Sequence, residues 1–367
     1  SYAEGYKSFL NAAMTEREAV RAAVSMAAEH GYKPYTFGDT IKAGGRLYYN
    51  NRGKNLFLMR VGSAPIETAG VKILAAHIDS PRLDLKQCPV YEDSQMCFFK
   101  THYYGGIKKY QWTAIPLALH GTIVRADGEE IVIHVGEDDG DPIFYINDLL
   151  PHLAQKQSRE PLGEAIPGEA LNVLVGGMPV SGEDSDAIKL NVLRILNEKY
   201  GIVEDDFLSA EICAVPAMKA RDVGFDRALI AAYGHDDRVC SYPAVTALFD
   251  AEDRENTVIV VLADKEEIGS EGNTGMQSVV LDDILNELSL SLGANPRLVR
   301  AASACLSADV TAAYDPNFKE VYEKANSSLL SCGTALCKYT GARGKSGSND
   351  ASAEFVGRIR RIFADGK

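Results

Sequence analysis

The sequence is short of several things, and each shortage excludes a class of protein. Nowhere do its 367 residues hold the roughly 20 uninterrupted apolar residues that a membrane-spanning helix needs. The opening residues, SYAEGYKSFL, carry neither the basic nor the apolar block of a secretory leader, so a soluble, unexported chain is expected. There is no Cys-x-x-Cys pair. Seven cysteines, Cys88, Cys97, Cys213, Cys240, Cys305, Cys332 and Cys337, are scattered and odd in number, which argues against a disulfide framework and against a thiolate zinc site; a reducing cytoplasm suits them. No basic block interrupts a formal net charge of -13 at pH 7, the wrong sign for binding nucleic acid. Ordinary solubility accounts for that acidity, which says nothing about substrate charge. A GxSxG elbow is missing and no cysteine has a motif partner, which leaves a serine or cysteine hydrolase with little support. Neither a repeat nor a low-complexity segment occurs.

What is present begins with a hydrophobic fraction of 46% beside 24% charged residues, enough to bury a large core in more than one domain. Thr15-Glu16-Arg17-Glu18 reads as a capping box opening an amphipathic helix through Val20, Ala23, Val24 and Ala27 to Gly31. Val71 to Ala76 and Thr257 to Ala263 are short apolar runs of the kind buried on both faces of a sheet. The first empties into His77-Ile78-Asp79-Ser80, the second into Asp264-Lys265-Glu266-Glu267. After a helix from Leu281 to Leu292, Val299 to Leu306 reads as a third such run leading to Asp309. Strands alternating with helices predict an α/β sheet with its ligands outside the strand ends. Between these parts the texture changes: Gly121 to Arg125 and Glu130 to Val135 flank Ala-Asp-Gly as a hairpin, and a helix from Ser185 to Tyr200 closes at Gly201. The expected division is a catalytic domain in two parts, 1–87 and 228–367, around an inserted β-rich domain, 88–227.

Several residues carry chemistry in their type and spacing. Hydrolysis at a divalent metal needs imidazole and carboxylate ligands, an open position and a base for water. His77 and Asp79, two apart on an extended segment, face the same side, so the carboxylate could hold the imidazole from behind. An ordinary core or surface pair would read the same. Adjacent Glu266 and Glu267 after a buried strand repel each other unless a cation sits there, although an exposed acidic turn would look alike. Gly269, Gly272 and Gly275 fit a tight loop without the spacing of a phosphate cradle. Asp236 and Asp237 precede an apolar run from Ala244 to Phe249; Pro243 in its first turn would start the helix near Tyr242 and leave both on a loop. An N-cap pair is the alternative there, and His235 reads as structural.

In this order and together, HIDSPRLDLK, GHDDRVCS, DKEEIGSEG, SADVTAAYDPNF and GKSGSNDASAEF resemble the aspartyl aminopeptidase family of clan MH metallopeptidases, over nearly the whole chain. The resemblance implies two zinc ions, with cobalt or manganese acceptable to such ligands. It puts His77 and Asp309 on one ion, Asp236 between both and Glu267 on the second, with Glu266 as general base and Asp79 orienting His77. It also implies peptide substrates, an α/β/α domain with an inserted dimerisation domain, and dimers assembling to a dodecamer. From Pro-His-Leu-Ala it implies that His152 reaches a neighbouring subunit's site, and from the segment ending at Lys338, with Arg343 and Lys345 following, a lysine for an acidic substrate side chain. Family members continue to a later histidine ligand; the chain reaches Lys367 without it, so a truncated catalytic domain and a less well-held second ion are expected. A related zinc deacylase or carboxypeptidase, and a non-catalytic assembly protein, are the competing readings.

Overall fold

The computed structural model describes residues 1–183, 185–338 and 351–366, and the chain divides into two compact units, Ser1–Val310 and Thr311–Lys367. The first unit is built on two sheets. One contains β1 (Lys33–Pro34), β2 (Arg46–Asn51), β3 (Asn55–Arg60), β4 (Val71–His77), β13 (Thr257–Ala263) and β14 (Ala304–Ser307), in the order β1-β2-β3-β13-β4-β14. The other holds β5 (Arg82–Asp93), β6 (Met96–Tyr104), β7 (Leu117–Val124), β8 (Glu130–Val135), β9 (Val173–Gly176) and β10 (Ala210–Pro216), in the order β8-β7-β10-β5-β6-β9. A small ribbon pairs β11 (Arg221–Val223) with β12 (Leu229–Ala231). The helices of this unit are α1 (Tyr2–Ala12), α2 (Glu16–Glu29), α3 (Ile66–Ala69), α4 (Ala187–Tyr200), α5 (His235–Asp250), α6 (Val280–Ser291) and α7 (Pro296–Ala302).

Side-chain alternation explains the layering of the first sheet. Leu56, Leu58, Val260 and Leu262 pack with Leu10, Val20 and Ala23 of α1 and α2 and Val245 and Leu248 of α5. Their neighbours Phe57, Met59, Ile259 and Val261 turn to the other face, against Ile66, Ile284, Leu288 and Val299 of α3, α6 and α7. The two-residue period of a strand thus makes an α/β/α sandwich in which strands apolar at every position are buried on both sides. Each such fully buried aliphatic side chain contributes roughly 1.5–3 kcal/mol. Thr15 caps α2 in a full capping box with Glu18, as its sequence predicts. The second sheet is antiparallel and covers its own core with Ile188 and Val192 of α4. Its hairpin turns at Gly128, where φ is +88° and a side chain would be strained.

Two local expectations are corrected. The run from Val299 to Leu306 is a helix joined to a short strand: Asn295 caps α7 through the Arg297 amide, Pro296 takes the first turn, and β14 begins only at Ala304. Apolar residues that fit helix and strand alike follow the helix-start chemistry of Asn295-Pro296. Regular helix in α5 starts near Arg238, ahead of Tyr242, so Pro243 lies inside it; Asp236 and Asp237 are non-helical, as expected.

The second unit contains short turns at Pro316–Val321 and Lys324–Asn326, a bridge between Ala313 and Ser328, and α8 (Ala353–Asp365), capped by Ser352. No described helix is long and apolar enough to cross a membrane.

Candidate metal centre

The parallel trio β13-β4-β14 brings three strand ends to one edge: Ala263 pairs with His77, and Ser307 with Ala75. His77 ends β4, the glutamates follow β13 in a 3₁₀ turn (Glu266–Ile268), and Asp309 lies two residues past β14. Asp236 enters from the start of α5, where the Ser80 hydroxyl donates to its backbone carbonyl and the Ser241 hydroxyl donates to the His77 carbonyl, 2.7 Å. Fully buried Arg238 in turn donates to Ser80.

His77 is 3% exposed and is the hub. Its Nδ1 lies 3.0 Å from the Asp79 carbonyl and 3.2 Å from Asp79 Oδ1; both can only accept, so the proton belongs on Nδ1 and Nε2 faces the cluster. Nε2 is 3.0 Å from Asp236 Oδ1 and 3.8 Å from both Glu266 Oε2 and Asp309 Oδ1. One donor atom from each of His77, Asp236 and Asp309 falls within 4.8 Å of the others. Asp79, wholly buried, also accepts from the amides of Glu266 and Glu267, each 3.1 Å, and from the Tyr104 hydroxyl, 2.7 Å. One carboxylate therefore fixes both His77 and the glutamate turn. Gly105, with φ +74°, lets Glu267 close in: a Cβ there would stand 3.2 Å from its Cβ.

The electrostatics are those of a site short of positive charge. Burial opposes a proton on His77, yet Asp236, Asp309 and Asp79 together push its pKa up to about 12. Burial, then the charge of Asp236, pushes Glu267 up to about 7; burial also lifts Glu266. Asp237, with neither oxygen in a well-formed hydrogen bond, is pushed up to about 7 by burial, Asp309 and Asp236, against the lowering effect of the weak Cys240 donor and His77. So many carboxylates around one imidazole are stable together only with a bound cation or extra protons, and imidazole with carboxylate oxygens suits zinc, cobalt or manganese. The residues present fit the ion.

Of the expected residues, His77, Asp79, Asp236, Glu266 and Asp309 converge here, and Glu267 adjoins them through its amide and charge. His235 does not join: its Nδ1 meets the Tyr6 hydroxyl at 2.9 Å and its Nε2 the Ile230 carbonyl at 3.0 Å. His152 is exposed in a turn after Pro151, and Lys338 is exposed in the second unit; Arg343 and Lys345 lie outside the described residues. Tyr104 was missed, since nothing in its local sequence ties it to Asp79, whereas Ser80 and Arg238 sit inside the motifs and could have been read from them.

Carboxylates and an imidazole gathered outside the ends of parallel strands in an α/β/α sandwich define a metal-dependent hydrolase of the zinc-peptidase type. The chain belongs to the M18 family, whose model, aminopeptidase I zinc metalloprotease (M18), matches residues 9–364. It is a zinc metalloaminopeptidase by that membership, M18 being the aspartyl aminopeptidase family. The probable M18 family aminopeptidase 1 of Clostridium acetobutylicum is 48% identical over 98% of this chain and 79% of its own. Among solved structures, the M18 aminopeptidase of Thermotoga maritima superposes with a TM-score of 0.93 at 44% identity, over 100% of this chain and 81% of that one. The S. cerevisiae mApe1 dodecamer, 22% identical, matches with a TM-score of 0.72 over 90% of this chain and 76% of that one, a likeness of fold.

Proposed function

We propose that this chain removes N-terminal residues from peptides with two ions, zinc by preference, held by His77, Asp236, Asp309 and Glu267. The convergence of three of these donors within 4.8 Å at the sheet edge carries the reading. His77 and Asp309 would hold the first ion, Asp236 both, and Glu267 the second. Zinc bound there supplies Lewis acidity, polarising a carbonyl and making water nucleophilic at neutral pH. Glu266 would act as the general base toward the hydrolytic water and return the proton to the leaving amine; its Oε2 stands at the cluster, 3.8 Å from His77 Nε2. Asp79 keeps the His77 proton on Nδ1 and the glutamate turn in place.

Lys338 would meet an acidic substrate side chain, and His152 would donate to the scissile carbonyl in a neighbouring subunit; both rest on the resemblance of their segments. Cytoplasmic residence accords with cysteines that are scattered, odd in number and never in a Cys-x-x-Cys spacing. The assembly would be homo-oligomeric, dimers building a dodecamer; the yeast relative is a dodecamer, and an apolar groove of about 500 Å³ on the second sheet, lined by Met96, Phe99, Ile143 and Ile195, supports a covered face there.

Rates on Asp-, Leu- and Lys-naphthylamides, and on an N-acetylated Asp substrate, test the function. We expect hydrolysis abolished by chelator, restored by zinc, fastest on Asp and absent on the acetylated substrate. Equal rates on the three free amines would end the acidic preference. Cleavage of only the acylated compound would end the aminopeptidase reading in favour of a deacylase.

A further inference from the structure

A second cluster of titratable side chains joins α2 to the second sheet, on residues that the catalytic centre does not use. His120 on β7 and His134 on β8 are cross-strand partners with ring centroids 4.4 Å apart. Glu18 on α2 approaches one edge of both rings: its Oε1 is 2.9 Å from His120 Nδ1 and 3.7 Å from His134 Nδ1. Glu137, just past β8, approaches the other edge: its Oε2 is 3.5 Å from His120 Nε2 and 3.2 Å from His134 Nε2. The two oxygens of Glu18 divide their work, since Oε2 accepts from the Thr15 amide and hydroxyl at 3.0 and 3.2 Å to cap α2. Oε1 is left for the histidines.

His120 is 0% exposed, and its Nε2 has no hydrogen bond of good geometry. A neutral imidazole placed between two carboxylates always turns one lone pair toward an oxygen: toward Glu137 with the proton on Nδ1, toward Glu18 with it on Nε2. A cation on the Nδ1 side removes the conflict, because Nδ1 then donates its lone pair to the ion and Nε2–H points at Glu137. Carboxylates that hold the far nitrogen of a ligating histidine are the common support of zinc sites. The spacing also suits an ion: bonds of about 2.0–2.1 Å in a tetrahedron put ligand atoms about 3.3 Å apart, between the 2.9 and 3.7 Å seen here. The His134 side chain is 44% exposed, which leaves a way in and a position for water. The remaining charges nearby are Arg21, acting on Glu18, and Lys219, acting on Glu137, whose carboxyl is raised by burial and by Glu18.

We propose that Glu18 Oε1 and the Nδ1 atoms of His120 and His134 form a divalent-cation site of zinc type, with Glu137 supporting both imidazoles, separate from the catalytic ions and pinning the first helical layer to the second sheet. The proposal stands independently of the function proposed above. Zinc bound per chain after equilibration and desalting tests it in the whole protein. His134→Ala should hold about one ion fewer than wild type and change peptidase turnover per folded chain less than twofold, while Asp309→Ala should keep this ion. Glu137→Gln should weaken it about tenfold or more. A zinc-edge anomalous map of wild-type crystals, which depends on no variant, should show a peak between Glu18, His120 and His134. Equal zinc content in wild type and folded His134→Ala, or no peak there in zinc-equilibrated crystals, overturns the proposal and leaves a proton-sharing network.

Discussion

At the residue scale the proposed catalytic cluster is a problem of unpaired charge, and its titration would report on a bound ion. Without a cation, Asp237 and Glu267 have folded pKa values of about 7 against 3.8 and 4.5 when unperturbed. A carboxyl raised in this way adds stability below its unfolded pKa and loses it as pH climbs through the folded value. His77, raised from 6.5 to about 12, acts in the same sense at higher pH: its proton stabilises the fold fully below 6.5 and is lost on the way to 12. The metal-free chain should therefore weaken progressively from about pH 4 upward. Zinc needs its ligands His77 and Glu267 deprotonated and binds better as pH rises. The rise in Tm produced by zinc should accordingly be larger at about pH 8 than at about pH 5.5. An equal rise at both would mean that His77 and Glu267 do not hold the ion.

At the scale of elements, positions come from local rules that tertiary packing either respects or overrides. The capping box at Thr15 is respected, and its Glu18 serves two masters, the helix end and His120. Thr15→Ala should cost about 1 kcal/mol in denaturant unfolding, the usual loss for an N-cap; an unchanged midpoint would show that the cap contributes nothing. The same local logic explains what was legible. β13 matches its apolar run, β4 matches Val71 to Ala76 with His77 added, and the hairpin at Ala-Asp-Gly forms as read. Strands buried on both faces and turns with Gly at positive φ announce themselves over a few residues. The run ending at Leu306 did not, because apolar residues beyond Asn-Pro satisfy helix and strand patterns alike. Asp79 was legible as a partner of His77 by its spacing, whereas its bonds to Tyr104 and to the glutamate amides depend on how the two sheets meet. The pairing of Glu18 with His120 and His134 depends on the same long-range packing, since α2 and the β7-β8 hairpin are about a hundred residues apart in the chain.

At the scale of the whole molecule, the proposed assembly builds each working site from two chains. His152 stands exposed on the connection between β8 and β9, in the first unit, and the apolar groove with exposed Ile143 and Ile195 lies on that sheet. If a second copy covers this face, as proposed, His152 of one chain serves Glu266 of another. Mixed assemblies of His152→Ala and Glu266→Gln chains should then recover part of the activity that each lacks alone; verified mixed dimers with no recovery would confine each site to its own chain.

The central claim, that the cluster at the ends of β4, β13 and β14 is a metal-hydrolysis centre with divided roles for its two glutamates, is met most directly by zinc content and turnover measured side by side in Glu266→Gln and Glu267→Gln. Glu266→Gln should keep its zinc and lose at least roughly a hundredfold in turnover, the lower end of what removing a general base costs. Glu267→Gln should lose zinc along with activity. A Glu266→Gln chain stripped of metal beside a Glu267→Gln chain that retains it would contradict the account.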